Sequence, residues 1–405
     1  MQNNVENNYG REFCDYIIMK KLLITGSTFP RWSGDTEPRF ILDYAKTMTK
    51  YFEVHVVVPM APGSAEEECM EGVMVHRFHY FPIRRWETLC YPGAIVPRIK
   101  EKKVRIFLVP FLLFSMKKVL KKHTKNVDIV HAHWLIPQGI IQAGIKNTPY
   151  IVTGHGGDVT SLNYWPIKGM KKKTLERAKY ITTVSDALEN YIQVMYPNEK
   201  TRVVPMGCDT SSFRPDNRKE NLFGQEGKKA VLFVGRLAEK KGVTFLIEAM
   251  RQVDNAILYI VGKGDLEEQL KQQAKELGEK VVFVGPKTHD ELPEIYASAD
   301  VFVAPSVTAR NGDKEGFGLV IIEAMASGVP VVASNSGGIS DIIKPGVNGL
   351  LCEEKAVNEL SDAINKVLTD RDLAERLRKE GYKTAKQNSY EEVGKKYSDI
   401  LKNIF

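Results

Sequence analysis

Two carboxylates flank a glycine turn in the stretch Glu315-Gly-Phe-Gly-Leu-Val-Ile-Ile-Glu323. The apolar run continues through Ala324-Met325-Ala326, which predicts the first turns of a helix. Gly316 and Gly318 let the backbone approach a ligand closely, and the free N–H groups of a helix start favour a phosphate. Carboxylates beside such a turn accept hydrogen bonds from hydroxyl groups. The stretch therefore predicts a site for a sugar joined to a nucleotide through a diphosphate.

A pair of basic signatures lies upstream of this stretch. Gly235-Arg236-Leu237 and Lys240-Lys241-Gly242 come directly after an expected strand, Ala230–Val234. A diphosphate leaving group gains negative charge as its bond to a sugar breaks, and cations aimed at it stabilise that transition state more than the ground state. Arginine can bind two oxygens at once, and lysine serves as a compact charge. We interpret Lys240 as a solvated neighbour of Lys241.

The run from Glu315 to Leu351 closely resembles the donor-site segment of family-4 retaining glycosyltransferases, and the basic signatures match a second motif of that family. A lone pair of glutamates is more often a solvated helix start, so the combination of signatures is what favours the family. The resemblance is strong over residues 202–351 and looser before them. It implies an α/β, GT-B fold, in which two doubly wound Rossmann-like domains face each other across a deep cleft.

The resemblance implies a role for each residue of the signatures. Arg236 and Lys241 contact the donor phosphates, Glu315 contacts hydroxyls of the transferred sugar, and Glu323 accepts from the ribose. The residues implied as catalytic are Arg236, Lys241, Glu315 and His155. Those implied as donor-binding are Glu323, Gly316, Phe317, Gly318, Leu319, Val320 and Gly34. The two glutamates are then binding groups, unlike the acid and nucleophile pair of a glycosidase.

The segment Thr153-Gly-His-Gly-Gly-Asp158 follows an expected strand of the first domain and faces the cleft. It resembles the family's His-Gly segment, in which the histidine lies close to the transferred sugar. A lone histidine is more often structural, but the flanking glycines favour sugar contact by His155. Asp158 is a candidate for acceptor contact or base assistance.

The loop after the first strand, residues 29–38, stands where many relatives carry a Gly-Gly pair beside the diphosphate. Only Gly34 matches that pair. Asp35 and Glu37 either meet acceptor hydroxyls or cap the next helix, and for Glu37 we favour the capping role. His131 and His133 lie on one face of an extended segment, which superficially suits a metal. Without a third ligand in the sequence we expect a structural or acceptor-side role for them, and no metal.

The length of 405 residues predicts two domains. Apolar runs alternate with helical patterns, as in parallel α/β layers. We expect a leader at 1–18, an acceptor domain at 19–207, a donor domain at 208–388 and a helix at 389–405 that crosses back to the first domain. The expected strands are Lys21–Thr25, Val54–Val58, Val73–Phe78, Val127–His131, Tyr150–Thr153, Tyr180–Val184, Arg202–Pro205, Ala230–Val234, Ala256–Val261, Lys280–Val284, Val301–Ala304 and Pro330–Ala333.

The formal net charge is +7, and part of it surrounds an apolar stretch, Ile106–Met116. The flanking basic residues are Lys100, Lys102, Lys103, Arg105, Lys117, Lys118, Lys121 and Lys122. The stretch is too short to span a bilayer, so it either packs on the domain core or lies in the interface of an anionic membrane. Nothing resembling a nucleic-acid module accompanies the charge.

Five scattered cysteines and the lack of a secretion signal predict a cytoplasmic protein, either free or peripheral on the inner face of the membrane. The expected function is transfer of a hexose from a nucleotide diphosphate sugar, with retention of configuration, to a hydroxyl of a saccharide or lipid-linked acceptor. The sugar nucleotide is a co-substrate, and no cofactor is expected. The alternatives are a sugar-nucleotide-binding protein without transfer activity and another GT-B enzyme, such as a phosphorylase or an epimerase.

Overall fold

The computed structural model describes residues 19–220, 222–223 and 227–405, so the expected leader lies outside the described residues. Two sheets organise the chain. The strands of the first sheet are β1 Lys21–Thr25, β2 Glu53–Pro59, β3 Glu67–Met70, β4 Val73–Phe78, β5 Ile129–His133, β6 Tyr150–Gly154, β7 Tyr180–Thr183 and β8 Thr201–Val203. The strands of the second are β9 Lys229–Val234, β10 Ala256–Val261, β11 Val281–Gly285, β12 Val301–Ala304, β13 Val331–Ser334 and β14 Leu350–Cys352.

Helices connect the strands of both sheets. Those before β9 are α1 Phe40–Met48, α2 Ile95–Glu101, α3 Val109–His123, α4 Ile140–Ala143, α5 Gly157–Thr160, α6 Ile167–Arg177 and α7 Asp186–Met195. Those after it are α8 Val243–Ala249, α9 Glu267–Ala274, α10 Leu292–Ala297, α11 Leu319–Ala326, α12 Ile339–Ile342, α13 Val357–Thr369, α14 Arg371–Gln387 and α15 Tyr390–Lys402. The central strands are apolar and buried, as in β10, because helices cover parallel sheets on both faces.

The strand order reverses once in each sheet. The first sheet has the order β3-β4-β2-β1-β5-β6-β7-β8, and the second has the order β11-β10-β9-β12-β13-β14. After β1 the chain adds strands on one side of β1, and from β5 onwards it adds them on the other side. The same reversal lies between β9 and β12 in the second sheet. In open α/β sheets, ligands bind beyond the carboxyl ends of the strands at such a reversal. The segments that follow these four strands are thus where a site is expected.

The sequence predicted a strand at each long apolar run correctly, but some of the predicted boundaries were wrong. Every expected strand is present, but β5 runs to His133 rather than ending at His131, so both histidines lie within it. Two strands were missed. β3 pairs antiparallel at the sheet edge and lacks an apolar run, and β14 has only three residues.

The last helix packs back on the first domain, which confirms the expected crossing. Tyr390 at the start of α15 donates a hydrogen bond to Asp43 of α1 at 3.1 Å. Further along, the ring of Tyr397 is completely buried, with its centroid 4.9 Å from that of Tyr44. The amphipathic spacing of α15 thus serves an interface with the other end of the chain.

Candidate active site

A lysine and a glutamate meet where the second sheet reverses. Lys241 follows β9, Glu315 lies between β12 and α11, and Lys241 Nζ is 2.5 Å from Glu315 Oε2. Both side chains are mostly buried, with 16% and 13% of their surfaces exposed. Burial by itself raises the pKa of Glu315, but the positive charges of Lys241 and Lys240 outweigh it and lower the pKa to about 2. Glu315 is therefore a fixed anion that can accept hydrogen bonds from hydroxyls.

The two other basic residues of the signatures differ in their surroundings. Arg236 is exposed, and its guanidinium has no hydrogen-bond or ion-pair partner within the part of the chain that the structure describes. Lys240 instead forms an ion pair with Asp313, with Nζ and Oδ2 3.2 Å apart. The charge of Arg236 is thus available to a ligand, whereas that of Lys240 is bound to the loop before Glu315.

Helix α11 carries the second glutamate into the protein interior. Glu323 is buried, and its Oε2 accepts a hydrogen bond from the hydroxyl of Tyr296 at 2.9 Å. Burial raises the pKa of Glu323. Gly318 precedes the helix at φ +98°, a conformation that favours glycine, and Phe317 before it is buried. Leu319 and Val320 form the half-buried first turn, so their N–H groups are among the free donors of the helix start.

The two domains touch at this loop. A Cβ atom on Gly316 would overlap the carbonyl oxygen of His155, so only glycine allows the observed approach. A small cavity at the contact is lined from both sides, by Gly156 and Thr160 of the first domain and by Glu315 and Gly316 of the second. The structure therefore brings His155 and Glu315, 160 positions apart in the chain, to one site.

His155 ends a row of three histidine rings. The ring centroids of His131 and His133 are 4.1 Å apart, and those of His133 and His155 are 5.2 Å apart. His133 Nδ1 lies 3.0 Å from His155 Nε2. Burial lowers the pKa of His155 to about 3 and those of His131 and His133 well below the usual value, so all three are neutral near pH 7.

Asp158 accepts hydrogen bonds from three backbone N–H groups, two of its own loop and one of the segment after β5. Its Oδ1 accepts from the N–H groups of His155 and Gly156 at 3.0 and 2.9 Å, and its Oδ2 accepts from Leu135 at 2.8 Å. Burial raises the pKa of Asp158 although these hydrogen bonds oppose the shift. In this arrangement Asp158 shapes the His155 loop. Its predicted part in acceptor contact stays a prediction.

The loop after β1 shows the same use of carboxylates. Gly34 is exposed at φ +78°. Asp35 is buried and forms a two-point ion pair with Arg31, at 2.5 and 2.8 Å, and these hydrogen bonds lower its pKa against the effect of burial. Both oxygens of Glu37 accept from the N–H of Gly93 at 3.1 Å. Glu37 thus fastens a distant loop, and the predicted capping of the next helix is absent from the hydrogen bonds of the described residues.

Two features of this site lie outside every sequence motif. Tyr296 lies on α10, outside every motif, yet it donates to Glu323. The partners of the histidine row, Tyr44 and Tyr397, come from the two ends of the chain. Their positions at buried points of amphipathic helices predict core residues, and only the fold shows what they touch.

Within residues 19–220, 222–223 and 227–405, no group of three or more His, Cys, Asp or Glu side chains is arranged to hold a metal ion. The same part of the chain contains no helix that is long and apolar enough to cross a bilayer.

Comparison with known proteins gives family matches over nearly the whole described chain. Residues 38–212 match the model of Glycosyltransferase Family 4, and residues 214–384 match that of Glycosyl transferases group 1. A GDP-mannose-dependent alpha-(1-6)-phosphatidylinositol monomannoside mannosyltransferase of Mycolicibacterium smegmatis is 31% identical over 86% of this chain and 89% of that protein. An uncharacterised glycosyltransferase of Methanocaldococcus jannaschii is 31% identical over 69% of this chain and 76% of that protein.

Solved structures share the fold at lower identity. Sucrose-phosphate synthase from Thermosynechococcus elongatus superposes with a TM-score of 0.78 at 23% identity, covering 95% of this chain and 99% of the other. HepE of Anabaena, in complex with UDP-glucose, superposes with a TM-score of 0.70 at 21% identity, with coverages of 95% and 99%. The two sheets and their facing edges are therefore a recurring architecture.

Proposed function

This chain belongs to the family-4 glycosyltransferases of group 1, with their GT-B fold and their use of nucleotide sugars, and we propose that it transfers a hexose with retention of configuration and without a metal ion. The observation that carries the proposal is the meeting of Lys241 and Glu315 where the strand order reverses, with Arg236 of the same segment after β9 exposed and without a hydrogen-bond or ion-pair partner among the described residues. Cations for a diphosphate and an anion for sugar hydroxyls thus occur in one place.

In the proposed reaction Arg236 and Lys241 bind the diphosphate, and Glu315 orients the sugar. The bond between the anomeric carbon and the phosphate oxygen breaks, and the acceptor oxygen bonds to that carbon from the same face. The acceptor proton passes to a leaving-group oxygen. Positive charge placed in advance at the diphosphate stabilises the negative charge that develops there. Glu323 binds the ribose, and His155 contacts the transferred sugar.

The binding roles of the two glutamates and the independence from a metal have separate support. A carboxyl with a pKa of about 2 is a poor proton donor, so Glu315 fits a binding group better than the acid of a glycosidase. Glu323 has one oxygen bound to Tyr296 and is buried, which suits a hydroxyl acceptor of fixed orientation. Arg236 and Lys241 supply the positive charge that a divalent cation provides elsewhere.

The test is a panel of nucleotide sugars screened by thermal shift, because a ligand that binds the folded state raises the apparent stability. The best donor is then incubated with candidate acceptors, and both nucleoside diphosphate and the anomeric configuration of the product are measured. The proposal is supported if nucleoside diphosphate is released only with an acceptor, if the product has the same anomeric configuration as the donor, and if dialysis against EDTA leaves turnover unchanged. Release driven by phosphate indicates a phosphorylase, donor conversion without acceptor indicates an epimerase, and binding without turnover indicates a binding protein.

A lipid-linked acceptor at the inner membrane face is the acceptor class that we propose. Helix α3 and the turn before it bury Leu112 and Met116 on the domain core but expose Phe107 and Phe114 by 73% and 72%. Exposed lysines flank these two residues in the sequence, namely Lys100, Lys102, Lys103, Lys117, Lys118, Lys121 and Lys122. Arg105, expected among them, is instead buried and paired with Glu101 at 2.9 Å. Exposed aromatic side chains flanked in the sequence by lysines complement an anionic lipid surface.

Vesicle flotation tests this surface. Wild-type protein is expected to bind vesicles that contain anionic phosphatidylglycerol and to remain free of neutral phosphatidylcholine vesicles. The double variant Phe107→Ser and Phe114→Ser should lose binding, while Val194→Ser, which changes an even more exposed apolar residue on α7, should retain it. Equal retention of wild type by both vesicle types, or unchanged binding of the double variant, would contradict the membrane proposal and leave glycosyl transfer unaffected.

A further inference from the structure

A column of aromatic rings runs from the C-terminal helix to the site. The ring of Tyr397 packs against Tyr44 and His131, at centroid distances of 4.9 and 5.2 Å. His131 stacks on His133, which stacks on His155. Tyr397, Tyr44, His131 and His133 are fully or almost fully buried, whereas His155, at the end of the column, is only partly buried. The position of His155 therefore depends on its neighbour in the column, His133.

The contact between the last two histidines selects one arrangement of protons. A neutral imidazole carries one N–H, so either His133 donates from Nδ1 to His155 Nε2 or His155 donates in the opposite direction. His133 Nε2 is buried without a hydrogen-bond partner among the described residues. If His155 were the donor, the proton of His133 would lie on this isolated nitrogen, and buried N–H groups without a partner are rarer than unsatisfied acceptors. His133 is thus the donor.

The proton of His155 then belongs on its other nitrogen. Among the described residues no group bonds to His155 Nδ1, and that atom is absent from the buried polar atoms without a partner. Nδ1 is consequently accessible. The rings of Phe40 and Trp134, with centroids 5.4 and 4.9 Å from that of His155, limit the orientation of the imidazole.

We propose that His133 is a positioning residue, which holds His155 in the tautomer with its proton on Nδ1 so that His155 presents a hydrogen-bond donor to a hydroxyl of the transferred sugar. The inference deepens the proposed function and rests on the placement of the donor sugar next to His155. His155 would then supply a hydrogen-bond donor on the first-domain side of the site, and Glu315 supplies a hydrogen-bond acceptor on the second-domain side. Each sugar hydroxyl can accept and donate, so the two groups act together.

The tautomer is measured directly by two-dimensional ¹H–¹⁵N spectroscopy of protein labelled with ¹⁵N-histidine at pH 7.5, with His155→Gln identifying the His155 signals. Two substitutions separate packing from hydrogen bonding. His133→Phe keeps an aromatic ring in the stack but removes the donor, and His133→Asn places an amide nitrogen near the position of Nδ1. Melting temperatures show which variants fold, and kcat and KM are measured with the donor found by the nucleotide-sugar panel.

In wild type and His133→Asn, His155 should carry its proton on Nδ1. In His133→Phe it should shift towards the Nε2–H form, with kcat/KM lowered about tenfold by the loss of one oriented hydrogen bond, whereas His133→Asn stays within about threefold of wild type. A wild-type His155 protonated on Nε2, or an unchanged tautomer in His133→Phe, overturns the inference. A shifted tautomer with unchanged turnover supports the assignment of His133 and counts against the proposed contact of His155 with the sugar.

Discussion

The two sides of the cleft use their charged side chains differently. On the second-domain side, Lys241 and Glu315 pair across the reversal of the sheet, and Arg236 has no partner in the part of the chain that the structure describes. On the first-domain side, Asp158 accepts from backbone N–H groups of its own loop and of Leu135, and Asp35 is bound by Arg31 of its own loop. One side therefore holds charge for a ligand, and the other uses charge to fix the loops that present a neutral histidine and backbone groups.

This difference has a chemical reason. Departure of a diphosphate creates charge, and preorganised charges stabilise it most where little reorganisation is needed. The sugar and the acceptor hydroxyl are neutral, so a neutral donor such as His155 and a rigid loop suffice on the first-domain side. Substitutions of the charged side chains on the two sides should consequently affect different quantities, namely turnover on the second-domain side and stability on the first-domain side.

The largest effect is expected for Lys241→Ala. The variant removes a cation from the departing diphosphate and leaves Glu315 as a mostly buried anion without its partner, so kcat should fall by about 10³-fold, comparable to the loss of a strong transition-state contact. Steady-state kinetics with the identified donor measure the change. Glu315→Ala should lower kcat by a similar factor, with the fold retained in circular dichroism.

Lys240→Ala is the matched control for this prediction, because Lys240 lies next in the chain but pairs with Asp313. Its turnover should stay within a few-fold of wild type. Unchanged turnover in Lys241→Ala or in Glu315→Ala would refute the assignment of the ion pair to the donor site.

Arg236→Ala should lower kcat/KM by about 10²-fold, somewhat less than Lys241→Ala, because one of two cations remains. The free energy of unfolding should change by less than about 0.5 kcal/mol, since the side chain is exposed and unpaired among the described residues. Kinetics and urea denaturation of the same preparation measure both quantities. A large loss of stability without a loss of turnover would show that Arg236 is a structural residue.

Asp158→Ala tests the structural role of the charged residues on the first-domain side. Three backbone N–H groups lose their acceptor, so the free energy of unfolding should fall by about 2 kcal/mol. The KM for the acceptor should change little once the protein is folded. Urea denaturation and acceptor titration distinguish the two effects, and a raised acceptor KM at unchanged stability would restore the role in acceptor contact that the sequence suggested.

The histidine row predicts a smaller effect that depends on pH. His131, His133 and His155 have pKa values well below 6.5 in the folded chain because they are buried, while an unfolded chain protonates them near pH 6.5. Below that pH the unfolded state binds more protons, so stability falls as the pH decreases from about 6.5 towards 3. Each histidine contributes about 1.4 kcal/mol per pH unit to this slope. In His155→Gln the slope measured between pH 6 and 5 should drop by about that amount, and an unchanged slope would show that His155 is not the neutral group described.

The sequence predicts the second-domain side well because its groups lie in continuous motifs that follow strands. The bounds of β9, β12 and the start of α11 follow from apolar runs and glycines, and the two motifs lie 74 residues apart at a reversal common to open sheets. The first-domain side is less predictable, because its contacts join distant segments. The bonds of Glu37 to Gly93 and the packing of Tyr397 on Tyr44 require the fold.

The missed elements have similar causes. The sequence of β3, Glu67-Glu-Cys-Met70, has no alternating apolar pattern, because an edge strand is defined by its pairing with β4 rather than by burial. Helix α1 begins at Phe40 without a side-chain cap. The acidic residues of the loop before it are therefore free to form hydrogen bonds with other groups. Local patterns therefore identify elements that bury surface, and the other elements depend on their neighbours.

Binding of a nucleoside diphosphate to Arg236→Ala/Lys241→Ala, compared with wild type by isothermal titration calorimetry, tests the central assignment most directly. Wild type should bind the diphosphate much more tightly than the nucleoside alone, and the double variant should lose most of that preference, because the two cations that recognise the diphosphate are gone while the N–H groups at the start of α11 remain. Undiminished preference for the diphosphate in a folded double variant would contradict the account.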